Sequence, residues 1–375
     1  MPAVNAARLA SLLGDWRGSG PSYRALSDTI RVLVIDARLP AGTRLPSERA
    51  LAETLDVSRT TTARAYEELR ARGILESRRG SGSVVTLPLA EVSSSAMLES
   101  PDVGDGIALT HAAGAAVPGL GAAFERALAN LPAMLATTGY LPDGYEPLRE
   151  RLAARYAAAG LPTDPSQIIV TNGAQGALAV IFATLVGRSD RVLVEGCGFP
   201  HAFDSVAAEG GRILSLPHGR TPWNTGDVRE AAGAADLAYF IPDFHNPTGA
   251  LMPEGQRADL ARILRRVGTQ TIIDETLRDI TLTDDPLPPP YATFDPDAVT
   301  VGSLSKSVWG GLRLGWIRAP HHLVSAFVQT RVRLDLGSSA FDQIVAVEAL
   351  DARIDGAHLA TLRDQRDVAV DAIRT

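Results

Sequence analysis

Apolar positions in the first 86 residues recur first at helical and then at strand spacing. Leu26, Ile30, Leu33, Val34 and Ala37 fall three and four apart, which predicts an amphipathic helix after Pro21-Ser22, broken by Pro40-Ala41-Gly42. Ala50, Leu51 and Leu55 predict a short second helix from near Ser47. Ser58 suits the N-cap of a third, running from about Arg59 to Arg72, with Ala65, Tyr66 and Leu69 inward and Gly73 ending it. Ile74-Leu75-Glu76-Ser77 and Ser83-Val84-Val85-Thr86 read as two short strands joined by Arg78-Arg79-Gly80-Ser81-Gly82. Helix, helix-turn-helix and hairpin in that order predict a winged helix-turn-helix.

The pattern then changes twice. Leu87 to Gly106 carries prolines, serines and acids without a sustained period, and reads as a linker. From Ile107 to Thr375, short apolar runs alternate with Ala/Arg/Glu-rich helical stretches, as in a mostly parallel α/β sheet. The expected divisions are therefore residues 1–86, 87–106 and 107–375.

Charge separates the first division from the rest. Residues 1–86 hold 13 Arg against 9 Asp+Glu, and the remainder 23 Lys+Arg against 34 Asp+Glu, so a net +4 module precedes a net −11 body. Such asymmetry suggests two modules with different partners, nucleic acid suiting the basic one. The single cysteine, Cys197, excludes an internal disulfide and fits a reducing cytoplasm. No apolar run of about 18 residues offers a membrane span, and the N-terminus lacks a basic region followed by an apolar core.

One lysine, Lys306, stands against 35 arginines. Arginine supplies positive charge as well as lysine does, but it cannot become a free amine near neutral pH. A lysine left unreplaced is thus a candidate Schiff-base former, or else a chance survivor of an arginine-rich composition. Its neighbours favour the first reading. Ser303, Ser305, a glycine turn and Arg313 suit a phosphate monoester beside the amine. Pyridoxal phosphate carries both an aldehyde and a phosphate. No metal-ligand set is expected.

Four further segments stand at predicted strand ends. Ile168-Ile169-Val170 leads to the turn Thr171-Asn172-Gly173-Ala174-Gln175-Gly176 and then an apolar helix, whose N-terminal backbone amides can bind phosphate. Phe199 follows the next strand and can stack on a ring or simply fill the core. Asn246, in His245-Asn246-Pro247-Thr248-Gly249, can bond a phenolic oxygen or make an Asn-Pro turn. Asp274, just past Thr271-Ile272-Ile273, can pair with a ring nitrogen.

Two resemblances sharpen this reading. Gly42-Thr43-Arg44-Leu45-Pro46-Ser47-Glu48-Arg49, then Ser58-Arg59-Thr60-Thr61 and the Gly-Ser-Gly wing, closely resemble the GntR family of bacterial DNA-binding domains. The resemblance implies contacts to operator DNA from Arg49, Arg59, Thr60, Thr61 and Arg64, and from Arg79, Gly80 and Gly82 of the wing. The segment around Lys306 and the order of strand-end motifs resemble fold-type-I, aspartate-aminotransferase-like proteins. That implies Lys306 as the catalytic, covalent anchor, Asp274 facing the ring nitrogen, Asn246 on the ring oxygen and Phe199 on the ring face. Ala174, Gln175, Ser303, Ser305 and Arg313 would hold the phosphate, and Tyr140 would reach the phosphate of a neighbouring subunit in a homodimer.

A GntR-type reader ahead of an aminotransferase-like body is the architecture of the MocR regulators. The resemblance implies a cytoplasmic, pyridoxal-phosphate-binding transcription regulator sensing the cofactor or an amine effector. Two departures bear on activity. Thr276 and Leu277 stand where family members place a tyrosine. The family also continues past the position of Thr375 with a smaller domain that grips an amino-acid carboxylate. The alternatives are an aminotransferase with an accessory DNA-binding segment and a DNA-binding dimer with a purely structural body.

Overall fold

The computed structural model describes residues 3–14, 16–17, 20–35, 38–39, 42–78, 82–86, 114–217 and 222–374. They fall into two compact units, the first within Met1–His111 and the second within Ala112–Leu216 and Pro222–Thr375. The expected linker, 87–106, lies outside the described residues.

The first unit contains α1 (Ala6–Leu13), α2 (Ser22–Ile35), α3 (Glu48–Leu55), α4 (Arg59–Ala71) and a hairpin of β1 (Leu75–Arg78) and β2 (Gly82–Val85). Serine caps set two helix starts. Ser47 Oγ accepts the amide of Ala50, and Ser58 Oγ accepts that of Thr61 at 3.1 Å. Leu26, Ile30, Leu33, Leu51, Ala65 and Leu69 close one core with Leu9 and Leu13 of α1, a helix that the spacing did not predict. Tyr66 is fully buried in that core, and its hydroxyl is satisfied by the carbonyl oxygen of Pro46 at 2.9 Å.

The second unit runs α5 (Leu120–Leu135), α6 (Glu146–Ala158), β3 (Ile168–Thr171), α7 (Gly173–Leu185), β4 (Arg191–Val194), α8 (Pro200–Ala208), β5 (Arg212–Ser215) and α9 (Thr225–Ala232). It continues with β6 (Leu237–Phe240), α10 (Glu254–Val267), β7 (Gln270–Asp274), β8 (Val299–Ser303), β9 (Gly315–Arg318), α11 (His321–Leu334), α12 (Ala340–Asp351) and α13 (Leu359–Arg374). The strands form one sheet in the order β3-β9-β8-β7-β6-β4-β5, parallel except for β9, which runs against both its neighbours.

The apolar runs that predicted buried strands divide their residues between the two faces. Val192, Leu237, Tyr239 and Ile272 pack in one core, and Leu193, Ala238, Phe240 and Ile273 in the other. Reversal of β9 has a positional effect. Its first residue, Gly315, sits in register with Thr171 at the end of β3 and Ser303 at the end of β8. The turns after β3 and β8 and before β9 are thereby gathered at one end of the sheet, together with the exits of β4, β6 and β7. Carboxyl ends of parallel strands are where α/β folds build their sites.

Candidate functional site

In the first unit, Arg59, Thr60 and Thr61 form the opening turn of α4, and Arg59 and Thr60 are exposed. Thr61 is partly engaged, its Oγ1 lying 2.8 Å from Ser58 Oγ. Arg49 is exposed in α3 and donates to Glu53 Oε1 at 2.9 Å. Arg64 also faces outward, but its guanidinium lies 4.5 Å from the ring centre of Tyr23. Gly82 begins β2 with φ of 77°, a conformation that glycine adopts without strain. Arg79 and Gly80 lie outside the described residues.

The strand-end motifs of the second unit meet where several turns pack backbone against backbone. Gly173 (φ 72°) turns β3 into α7, and Ala174 and Gln175 occupy the first turn of that helix. Arg313 takes the left-handed conformation (φ 51°) just before β9, with its Nη2 3.4 Å from the carbonyl oxygen of Asn172. Gly315 passes so close that a Cβ there would lie 2.5 Å from the carbonyl carbon of Gly173 and 2.7 Å from the amide nitrogen of Ala174. A guanidinium and a helix N-terminus are thus held side by side, both suited to an anion.

Across the same end, Ser303 Oγ accepts the amide of Ser305 at 3.1 Å and lies 3.0 Å from Ser305 Oγ. Lys306 follows in one turn of π-helix, Ser305–Trp309. It is half-buried. Burial pushes its pKa down from the ordinary lysine value, and the charge of Asp274 opposes that push. An amine so placed loses its proton more readily than a surface lysine.

Asp274 ends β7 with only 5 % of its surface exposed. Tyr239 of β6 donates its hydroxyl to Oδ2 at 2.8 Å, and the amide of Thr276 donates to Oδ1 at 2.9 Å. Burial raises the carboxyl above its usual range, while those hydrogen bonds pull the other way. Asn246 lies in the loop after β6. That loop is tied to the β4 exit through His245, whose Nε2 is 3.1 Å from the Cys197 carbonyl oxygen. It is also anchored from below, where Asp243 takes Arg257 at 2.8 Å and Arg278 at 3.0 Å. Phe199 stands before α8, with its ring 5.1 Å from that of His201 and packed on the apolar core.

Several groups at this end of the sheet had no sequence signal. Tyr239 is one, since nothing in its spacing marks it as a partner of a residue 35 positions away. Another is Glu195, buried after β4, whose Oε1 accepts Trp223 Nε1 at 2.9 Å and the amide of Ile241 at 2.6 Å. Burial is the main cause that pushes Glu195 up to about 7, with the Asp274 charge adding to it and the two hydrogen bonds offsetting it. Tyr140 lies between α5 and α6 and is 65 % exposed. A separate cavity of about 90 Å³, lined by Arg155, Tyr156, Glu275, Arg278 and Trp316 among others, includes none of the candidate cofactor residues.

The residues fit pyridoxal phosphate on two observations. The α7 N-terminus carries no side-chain cap, and Arg313 sets its guanidinium beside it, with Nη2 3.4 Å from the Asn172 carbonyl oxygen. A buried carboxylate, a half-buried amine and an anion cradle are the three features that such a cofactor asks for.

Comparison with known proteins accords with both units. The model for bacterial regulatory proteins of the gntR family matches residues 22–85, and that for class I and II aminotransferases matches residues 123–371. The uncharacterized HTH-type transcriptional regulator YdfD of Bacillus subtilis (strain 168) is 29 % identical over 95 % of this chain and 80 % of its own length. The probable rhizopine catabolism regulatory protein MocR of Rhizobium meliloti is 27 % identical over 82 % of this chain and 67 % of its own. Among solved structures, an aminotransferase from Mycobacterium tuberculosis superposes with a TM-score of 0.63 at 25 % identity, covering 70 % of this chain and 68 % of that one. An archaeal alanine:glyoxylate aminotransferase gives 0.63 at 24 % identity over 68 % and 67 % of the two chains, a likeness of fold. The chain belongs to the class I and II aminotransferase family and carries a gntR-family DNA-binding domain ahead of it, the composition of a MocR-type transcription regulator.

Proposed function

We propose that the second unit binds pyridoxal phosphate with Lys306 as its anchor, and that occupancy of this site alters how the first unit binds operator DNA. The observation that carries the reading is the meeting of Lys306, Asp274, Ser303, Ser305, Arg313 and the uncapped start of α7 at one end of the sheet. When bound, the cofactor supplies an aldehyde carbon onto which an amine can exchange and a ring that accepts electron density.

The chain's own residues do the rest. Lys306 is held half-buried, where its amine gives up a proton readily. Asp274 would face the ring nitrogen and stabilise a proton there. Arg313, Ser303, Ser305 and the amides of Ala174 and Gln175 would neutralise the phosphate, Phe199 would cover the ring, and Asn246 would donate to its oxygen. Tyr140, exposed in one protomer, reaches the phosphate of a second copy in a homodimer. Arg49, Arg59, Thr60, Thr61 and Arg64, with Arg79, Gly80 and Gly82, meet the DNA. An effector shifts DNA binding only by binding one arrangement of the dimer better than another.

The test is a pair of measurements on the full chain. Visible absorbance with pyridoxal phosphate should show a Schiff-base band that Lys306→Ala lacks. Retardation of operator DNA at fixed salt should then change with the cofactor in the wild type and not in the variant. A band in both proteins, or in neither, would reject Lys306 as anchor. Unaltered DNA binding would reject the sensing role, and turnover of an amino acid with an oxo acid would identify an enzyme instead.

A further inference from the structure

We propose that Asp335 is a positioning residue that keeps the phosphate-binding start of α7 open by holding the Asn172 side chain away from it. The inference rests on the cofactor reading above.

An asparagine at a helix N-cap ordinarily turns its side-chain oxygen onto the second or third helical amide, satisfying a donor that the helix itself leaves free. Asn172 occupies the N-cap of α7 and makes no such bond, and its backbone (φ −77°, ψ 68°) departs from the extended conformation of the capping residues Ser47 and Ser58. Its side chain is committed elsewhere. Nδ2 donates to Asp335 Oδ2 across 2.6 Å, the short distance of a charge-assisted hydrogen bond. With its amide group turned to Asp335, Asn172 leaves the amides of Ala174 and Gln175 without an internal competitor.

Asp335 is itself fixed. Its Oδ1 accepts Arg331 Nε at 2.9 Å and the amide of Gly337 at 3.1 Å. Arg331 is fully buried in α11 and donates from Nη2 to Ser338 Oγ at 2.7 Å, closing the turn after the helix. Gly337 (φ 137°) lets that turn press against the segment before α6, since a Cβ there would lie 2.9 Å from the Leu141 carbonyl oxygen. The carboxylate thus belongs to a braced turn and pulls on Asn172 from a fixed point. The Asn172 carbonyl oxygen is also the group that Arg313 Nη2 approaches at 3.4 Å. One carboxylate therefore sets both the freedom of the helix amides and the seat of the guanidinium.

The experiment titrates the full chain with pyridoxal phosphate and, separately, with pyridoxal, which has the aldehyde but no phosphate. Absorbance reports binding to the wild type, Asp335→Ala and Asp335→Ala/Asn172→Ala. Freed in the single variant, Asn172 can cap α7 and compete with the phosphate, so affinity for pyridoxal phosphate should fall about fivefold, the worth of one N-cap. Affinity for pyridoxal should stay unchanged. In the double variant alanine cannot cap, and affinity for the phosphorylated cofactor should recover. Equal affinity in Asp335→Ala and the wild type would overturn the proposal, as would a parallel loss of both ligands. A double variant no better than the single one would reduce Asp335 to a structural strut, which also overturns it. Failure of the wild type to bind either ligand would instead remove the cofactor reading on which the proposal stands.

Discussion

The hydroxyl of Tyr239 donates to Oδ2 of Asp274 across 2.8 Å, joining β6 to the buried carboxylate that ends β7. Burial raises Asp274 above the carboxylate range, and Tyr239 acts against that rise. Removing the hydroxyl raises the carboxyl further. A folded-state pKa above the unfolded one means that stability is fully present in acid and is lost as pH climbs through the folded value. Tyr239→Phe should therefore matter most where Asp274 is ionised. Urea unfolding should show a deficit of roughly 1.5–3 kcal/mol near neutrality that narrows on acidification. A deficit that is constant with pH would limit the tyrosine to packing.

Glu195 predicts a second pH dependence of the same sign. Its carboxyl rises from 4.5 to about 7 on burial, so its protonated form favours the fold, and the benefit is lost between those values as pH rises. Glu195→Gln cannot titrate, and it retains an oxygen for Trp223 and Ile241. The variant should gain on the wild type by on the order of 2 kcal/mol as pH rises across that window. Glu275, also raised to about 7 chiefly by burial, leaves a residual slope that Glu275→Gln should remove. Unfolding midpoints across the window for the two single variants and the double one check both.

Gly315→Ala should damage the phosphate cradle without touching a side chain in it. The added carbon meets the backbone of Gly173 and Ala174 at 2.5–2.8 Å, where no rotamer offers relief. Overpacking of this kind costs about 1–3 kcal/mol. Weaker binding of pyridoxal phosphate than of pyridoxal, relative to the wild type, is the expected readout, and unchanged binding of both would show that the turn can yield.

On DNA, the two arginines of α4 should differ. Arg59 opens the helix in the clear, whereas Arg64 is stacked over Tyr23 at 4.5 Å. Arg59→Ala should reduce the slope of log affinity against log salt by about one ion, and Arg64→Ala by less. Fluorescence anisotropy at several salt concentrations measures both. Equal slopes would mean that Arg64 leaves its ring on binding.

Local signals carried most of what the sequence revealed. The third helix, expected from Arg59 to Arg72, runs Arg59–Ala71 because its serine cap and terminal glycine lie within the segment itself. The hairpin strands differ from expectation by one residue at their ends. Lys306 was legible because arginine had displaced every other lysine. The features without a local signal depend on folding distant residues together. The partnership of Asn172 with Asp335 spans 163 positions, and that of Glu195 with Trp223 joins a strand exit to a turn. Reversal of β9 in an otherwise parallel sheet also had no local mark, since a strand as short as Gly315-Trp316-Ile317-Arg318 reads the same in either direction. Helix α1 leaves no such mark in the sequence, since eight residues carry too short a period to stand out.

The antiparallel seat of β9 between β3 and β8 also dictates an order of assembly during synthesis. The winged helix closes all its core within the first 86 residues and can form while the chain is still short. The β3–α7 turn emerges after α5 and α6, but its partners Arg313 and Gly315 arrive some 140 residues later still. Until they do, this end of the sheet lacks a guanidinium, a lysine and the strand that draws them together. A nascent chain of this protein thus completes the core of its first unit long before the sheet end that holds Lys306 can close, which waits on one four-residue strand and then on Asp335, the partner of Asn172.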